Sequence, residues 1–456
     1  MFSHYCLPSV AIGRTDAFDR LLTIFVLLML TTRQLSMVSL FGLMSGFTLM
    51  LTAGALNYWL AQAAISLPMI GAFSLVALPY AINFLWAPLF DIYHLGWLGK
   101  RLGPRMAWTM LIQLLLILAV WQISTLTPTH HIQILAGTSL LIALLSSAQD
   151  VLLGAIKTEL IAKSAQGAAA GMYIFGYRIG MLLSSSGAIY LSTLLSWQLI
   201  YQIAAGVIGV LSLLIGCILY PLPSANPLSV NPITTTTPNK PVSARLSSIF
   251  GFLKEALQPI GLPSKLGLIV LFLILYRLPD NFISMMINPF LLALRYDALE
   301  IASVSKCFGI ISAMLGGIIA SYWMKKNSLY PSLLRFGILH AGAHLLFILH
   351  RWFGKQLNLL IVTIGLESIT GGMVMAAYIG FIASLCTGRW RATQYAFFSS
   401  MMGLSRATLP ALSGYLVQRF GWDLFFVTMT LLTIPSLLIL KHIVPKLVED
   451  KLNYPQ

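Results

Sequence analysis

Apolar residues occur along this chain in long blocks that short polar segments separate. The blocks do not alternate over about ten residues, as the strands of a membrane β-barrel do. They are about 20 residues or longer, which is the length of a helix that crosses a bilayer core of about 30 Å. The pattern predicts an all-α membrane protein with twelve transmembrane helices, at residues 36–60, 67–90, 105–125, 133–158, 167–191, 198–220, 265–291, 301–324, 330–350, 357–386, 392–417 and 422–443.

The same pattern divides the chain into five parts. Residues 1–35 form a cytoplasmic N-terminal extension, 36–220 a six-helix bundle, 265–443 a second six-helix bundle, and 444–456 a cytoplasmic tail. Residues 221–264 contain several prolines and a run of threonines. That composition does not form a packed core, so we expect a flexible cytoplasmic linker.

Composition and charge agree with a membrane protein and give its orientation. The chain is 58% hydrophobic and 9% charged, whereas a soluble domain carries about 25% charged residues. Of its 28 lysines and arginines, twenty fall in segments on the side of the termini and linker, which the positive-inside rule predicts to be cytoplasmic. That rule explains the net charge of +15 without a nucleic-acid partner. The other basic residues are assigned to outer segments (Arg295, Lys306, Arg351, Lys355, Arg419) or to spans (Arg178, Arg277, Arg406).

The two halves share a sequence pattern. Gln166 precedes Arg178 by twelve residues in span 5, and Gln394 precedes Arg406 by twelve residues in span 11. A Ser-Gly segment and then a tryptophan follow in each half. This order predicts two parallel six-helix repeats, an arrangement that resembles the major facilitator fold with its substrate site between the halves.

Two carboxylates inside spans are candidates for proton coupling. Asp150 lies in span 4 and Glu367 in span 10, where an ionised group is costly unless it is paired or hydrated. The alternatives are structural: Asp150 as the partner of Arg178 or Lys157, and Glu367 as a hydrogen-bond acceptor for neighbouring hydroxyls.

Arginines inside spans are candidates for substrate binding. Arg178 and Arg406 occupy matching places, and each needs an anion, which is either a carboxylate of this chain or one of an anionic substrate. Arg277 and Asp280 are three residues apart and are expected to neutralise each other, with substrate contact as the alternative. Gln149 and Tyr177, beside Asp150 and Arg178, complete the candidates.

The loop after span 2 carries an acid followed by basic residues. These are Asp91, Lys100, Arg101 and Arg105. They resemble the cytoplasmic loop that gates major facilitator transporters, and the alternative is simple positive-inside anchoring.

His340 and His344 have the spacing of metal ligands, but no third ligand is evident in the sequence, so packing is favoured and no metal or cofactor is expected. The sequence contains no recognisable nucleophile–base constellation, so we do not expect an enzyme.

Several of these segments together resemble the AmpG-type permeases of the major facilitator superfamily. They are the segment 147–150, the segment 176–182, the segment 276–280, Glu367 with the glycines at 371–372, and the segment 392–396. The resemblance extends from about residue 40 to 440.

The resemblance implies a proton-driven importer of anhydro-muropeptides in the bacterial inner membrane, with both termini in the cytoplasm. It implies an anionic small-molecule substrate, a role in peptidoglycan recycling with a possible link to β-lactamase induction, a lipid environment and a monomer. The alternatives are a siderophore permease of the same fold, an acetyl-CoA-type transporter, or a membrane sensor that does not transport.

Overall fold

The fold is known from a computed structural model, which describes residues 36–83, 95–161, 166–219, 263–386 and 391–453, together with Gln34, Trp86 and Phe90. The N-terminal extension before Gln34, the linker through residue 262 and the loop acid Asp91 lie outside the described residues.

Within the described residues the chain is helical and contains no strand. We number the helices of the first half α1 (Ser36–Gln62), α2 (Leu67–Ala81), α3 (Gly96–Leu102), α4 (Pro104–Ile123), α5 (Ile132–Leu160), α6 (166–191) and α7 (Trp197–Leu219). The second half contains α8 (Pro263–Ala293), α9 (Ala298–Lys326), α10 (Leu329–Phe353), α11 (Leu357–Leu385), α12 (391–420) and α13 (422–453).

Nine helical segments of the described chain are long and apolar enough to cross a membrane, and α2 is a shorter apolar helix. The last of the nine, Phe397–His442, contains both α12 and α13. They separate at Gly421, whose φ of 79° and ψ of 172° interrupt the helix. This positive φ favours glycine, which has no Cβ. The protein is therefore a multi-pass all-α membrane protein, and its helices are consistent with the twelve predicted spans.

Close helix contacts in the first half depend on glycine. A Cβ at Gly46 of α1 would lie 2.0 Å from the carbonyl oxygen of Tyr177, and one at Gly176 of α6 would lie 1.9 Å from that of Ser39. The two backbones are thus in direct contact, the arrangement that small residues four apart permit in membrane helices. This contact fixes α6, and with it Arg178, against α1.

Three helices that meet where the two halves touch contain a π-helical segment. These segments are Leu51–Ala55 in α1, Leu182–Gly187 in α6 and Ile301–Phe308 in α9. Ser186 of the second segment donates a hydrogen bond of 2.7 Å to the carbonyl oxygen of Ala302 in the third. Such local widening of a helix is frequent at functional sites.

Further contacts join the halves at the same end. Asn288 of α8 donates a hydrogen bond of 2.9 Å to Asn57 of α1. Gly414 of α12 packs on the first turn of α2, where its added Cβ would lie 1.7 Å from the carbonyl oxygen of Leu67. These contacts close the end of the bundle that contains the α1–α2 and α8–α9 turns.

Candidate functional site

A cavity of about 340 Å³ lies between the two halves. Its wall is built from α1, α2 and α6 of the first half and from α8, α9, α10, α11 and α12 of the second. The volume is at the lower end of the range of about 300–1,000 Å³ for small-molecule sites. The cavity is therefore the candidate substrate site, in the place that the repeat pattern predicts.

The two arginines at matching places both line this cavity. Arg178 reaches it from α6 and Arg406 from α12. Arg178 contacts the sulfur of Met181 at 3.9 Å, and among the described residues neither arginine is within 4.0 Å of a carboxylate. Direct pairing of these arginines with Asp150 or Glu367 is therefore not seen among the described residues, and a ligand anion stays as the alternative.

The second half adds a lysine and a carboxylate to the wall. Lys306 of α9 and Glu367 of α11 both line the cavity, and they interact electrostatically. The sequence assigned Lys306 to an outer segment, but it lies about two turns beyond the start of α9 and lines the cavity. With Arg178 and Arg406, the described lining carries three cations and one carboxylate, so the cavity attracts anions.

Asp150 lies beside the cavity, outside its lining, in a polar cluster of the first half. Its neighbours include Ser45 and the phenols of Tyr80, Tyr173 and Tyr177. One carboxylate oxygen is buried without a hydrogen-bond partner among the described residues.

Neither proposed structural partner of Asp150 pairs with it. The Lys157 ammonium lies 4.4 Å from the centre of the Tyr173 ring. Arg178 has no carboxylate within 4.0 Å among the described residues. The alternative in which Asp150 serves only as a structural counter-ion is therefore not supported.

Gln149 also lies outside the cavity lining. Its side chain is fully buried, and neither of its polar atoms has a partner among the described residues. Tyr177 is half-buried behind Arg178 and stacks on Tyr173 at a centroid distance of 6.5 Å. Direct substrate contact by Gln149 and Tyr177 is thus not supported by this cavity.

Arg277 and Asp280 pair as predicted, with 2.5 Å between a guanidinium nitrogen and Oδ2. His340 of α10 lies at the other carboxylate oxygen, with Nε2 3.4 Å from Oδ1. Together with His344, three side chains offer polar atoms within 4.8 Å of one another. The sequence suggested no third partner for the histidine pair because Asp280 lies on a different helix, 60 residues before His340.

This cluster does not match a divalent metal centre. Asp280 contributes the one carboxylate of this group of three, and one of its oxygens already holds the guanidinium of Arg277. A dication there would lie beside a fixed positive charge, with too little negative charge to balance both.

The predicted gating loop is described only in part. Asp91 lies outside the described residues, and only the backbone of Lys100 is described, within α3. The guanidinium of Arg101 stacks 4.8 Å from the ring centre of Trp97. The backbone oxygen of Arg105 accepts a hydrogen bond of 2.9 Å from Thr109. The gating role of this loop stays a prediction.

Two asparagines on the cavity wall were not among the predicted site residues. Asn57 and Asn288 bridge α1 and α8, and Asn288 Oδ1 is buried with no partner among the described residues. Neutral amides give no charge signal in a sequence. The one available sign is that each interrupts an apolar run of its helix.

Comparison with known proteins agrees with this architecture. The family profile of the Major Facilitator Superfamily matches residues 38–352 and 269–454. A Rickettsia bellii protein named as an AmpG 1 transporter is 51% identical over 417 residues, which cover 91% of this chain and 99% of the relative. The anhydromuropeptide permease of Escherichia coli K12 is 31% identical over 401 residues, which cover 88% of this chain and 77% of the permease.

Solved structures share the fold at low sequence identity. A bacterial homologue of the human lysosomal transporter Spinster, in an inward-facing and unoccupied conformation, has a TM-score of 0.67 at 13% identity and covers 91% of this chain and 97% of its own. A D-xylose–proton symporter has a TM-score of 0.67 at 12% identity, with 90% and 97% covered. The predicted fold class is confirmed, and the relatives are transporters rather than enzymes. This chain belongs to the Major Facilitator Superfamily as an AmpG-type transporter.

Proposed function

We propose that this transporter imports anionic anhydro-muropeptides from the periplasm to the cytoplasm, driven by the proton gradient. The observation that carries the proposal is the pair Arg178 and Arg406, which face one cavity without a carboxylate partner among the described residues. The name of the E. coli relative supports this class of substrate.

Physical chemistry links the two arginines to a carboxylated ligand. An unpaired guanidinium within a membrane protein is costly. A ligand carboxylate offsets that cost by accepting two parallel hydrogen bonds, which the planar guanidinium donates. With Lys306 on the facing wall, the cavity carries enough positive charge for a ligand with more than one carboxylate. The peptide part of a muropeptide supplies such groups.

We propose Asp150 as the carrier of one coupled proton, with Glu367 as the alternative carrier of that proton. Asp150 is surrounded by hydroxyl groups rather than by cations, so no fixed charge neutralises it. Glu367 lines the cavity close to where a substrate would bind.

We propose further that the protein works as a monomer in the inner membrane with both termini cytoplasmic. Import would return wall fragments for recycling and, in bacteria with an inducible β-lactamase, would affect its induction.

The test is uptake into proteoliposomes with an imposed pH gradient. Labelled anhydro-muropeptide, the same disaccharide with an uncharged primary amide in place of the peptide on its lactyl carboxyl group, and a ferric siderophore are compared. We expect uptake of the peptide-bearing ligand alone, and its loss when a protonophore is added. Equal uptake of the neutral disaccharide would contradict the role of the arginines in binding. Uptake of the siderophore alone would contradict the proposal that the substrate is a muropeptide.

A further inference from the structure

A buried cluster in the second half is placed to hold a proton. It consists of Asp280 on α8 and His340 and His344 on α10, with Arg277 on the far side of the carboxylate. His340 is 5% exposed and His344 is 1% exposed. The cluster lies outside the cavity lining and on helices other than α5, which carries Asp150, and it has no part in the proposed function.

The hydrogen bonds around Thr370 of α11 favour one tautomer of neutral His340. The Thr370 hydroxyl lies 2.7 Å from the carbonyl oxygen of Leu366 and 3.0 Å from that of Glu367, so it donates its one proton to the backbone of its own helix. His340 Nδ1 lies 2.9 Å from the same hydroxyl oxygen. With the hydroxyl proton on the backbone, Nδ1 is the donor in this contact.

A neutral histidine carries a hydrogen on only one ring nitrogen. With the hydrogen on Nδ1, Nε2 of His340 presents a bare lone pair, and it faces Asp280 Oδ1 at 3.4 Å. Two acceptors then face each other in a buried place, which is unfavourable because neither has a donor there. A proton on Nε2 converts this contact into an N–H donor beside a carboxylate.

His344 limits the cluster to one added charge. Its ring lies 4.4 Å from that of His340 between centroids, and neither of its nitrogens has a hydrogen-bond partner among the described residues. Two imidazolium ions at this distance would repel each other strongly in a buried site. The pair therefore takes up one proton and not two.

The groups that face His340 come from three helices. From α8 they are Arg277 and Asp280; from α10, His344; from α11, Thr370 and the carboxylate of Glu367, which interacts electrostatically with both His340 and Asp280. Since Glu367 lines the cavity, it connects the cluster to water in the cavity. The neighbouring part of α13 contributes Thr430, which does not titrate. Its hydroxyl donates a hydrogen bond to the carbonyl oxygen of Ala341.

We propose that His340, held between Thr370 and Asp280, is a second proton-carrying site of the transport cycle, separate from Asp150. In one step an N–H bond forms at Nε2 with a proton from cavity water, and in the other that bond breaks and the proton returns to water on the opposite side. The inference rests on the proposed proton coupling. It assigns at least two protons to each substrate molecule.

The experiment measures the limiting accumulation of labelled anhydro-muropeptide in proteoliposomes at a pH difference of one unit and zero membrane potential. One coupled proton supports about tenfold accumulation and two support about a hundredfold, since each unit of pH is worth a factor of ten. We expect about a hundredfold for the wild type and about tenfold for His340→Gln. We expect the variant to keep substrate exchange in the absence of a gradient.

The matched control is His350→Gln, on the same helix. His350 is also buried, but both of its ring nitrogens have partners, Tyr296 at 3.2 Å and Thr363 at 3.1 Å. We expect this variant to accumulate substrate as the wild type does. Tenfold accumulation by the wild type, or equal accumulation by wild type and His340→Gln, would overturn the second site. No accumulation by the wild type would instead refute the proposed coupling itself.

Nitrogen-15 NMR of labelled histidine decides the protonation step without transport. We expect a signal, identified by its absence in His340→Gln, that changes from a bare to a protonated Nε2 as the pH is lowered. An Nε2 that carries hydrogen at every pH, or an equimolar zinc ion bound by the wild type and not by His340→Gln, would also overturn the proposal.

Discussion

Gly414 offers the sharpest test of how the two halves close. A Cβ at this position would lie 1.7 Å from the carbonyl oxygen of Leu67 and 2.1 Å from its carbonyl carbon. Carbon and oxygen atoms in close contact are about 3.3 Å apart, so α12 and α2 must separate by roughly 1.5 Å in Gly414→Ala. Forcing an extra methyl group into such a packed contact costs about 1–3 kcal/mol.

This cost applies only to the conformation in which α2 and α12 touch at this end. Transporters of this kind alternate by rocking one half against the other, so the opposite conformation relieves the clash. A difference of about 1–3 kcal/mol changes the ratio of the two conformations by about 5- to 150-fold. We therefore expect Gly414→Ala to depopulate the conformation described here.

The assay is the distance between spin labels at Leu194 and Leu299. Both side chains are exposed, and they lie at the closed end, one after α6 and the other in the first turn of α9. Pulsed electron paramagnetic resonance, on a variant from which the native cysteines have been removed, gives the populations of short and long distances. We expect the ratio of short to long to fall by about 5- to 150-fold.

Gly137→Ala in α5 is the control, because its added Cβ would have no heavy atom within 4 Å. It should leave the distance distribution as in the wild type. The reasoning is refuted if Gly414→Ala folds, as judged by thermal unfolding, and shows the wild-type distribution. That result would mean that α2 and α12 adjust locally and do not control the closed end.

Three further predictions concern the binding site, the coupling and the helix packing. Arg178→Gln and Arg406→Gln should each weaken anhydro-muropeptide binding by about 10- to 150-fold in calorimetry, since a hydrogen bond to a charged group contributes about 1.5–3 kcal/mol; unchanged affinity in both would make the arginines structural. Asp150→Asn should lower limiting accumulation at least about tenfold per unit of pH while exchange continues, since one proton no longer moves; accumulation at the wild-type level would end its coupling role. Gly316→Ala should lower the thermal unfolding temperature in detergent, because its Cβ would lie 1.9 Å from a carbonyl oxygen of α11, whereas the adjacent Gly317→Ala has open space and should not; equal effects would contradict the packing.

Some site residues could be recognised from the sequence and others could not. Arg178 and Arg406 were recognisable because a guanidinium inside an apolar span is conspicuous and because the same spacing from a glutamine occurs in both halves. Lys306 was misassigned, since its place near the start of a span looks like an outer segment until the helix orientation is known. Gln149 was included for its neighbour Asp150, yet successive residues on a helix point in different directions. Its side chain turns into the packing and not toward the cavity.

The sequence by itself determined the class, the all-helical fold and the family, because long apolar blocks, basic residues at their ends and paired motifs are local properties of the chain. Only the tertiary structure decided which polar side chains meet. Asp280 joins His340 and His344 from another helix, and Lys306 joins Glu367 and the two arginines around one cavity. Which side chains come together depends on the rotation of each helix about its axis and on backbone contacts such as Gly46 against α6 and Gly414 against α2. A hydrophobic pattern that is nearly uniform around each helix gives little indication of that rotation, because lipid and the protein interior are both apolar.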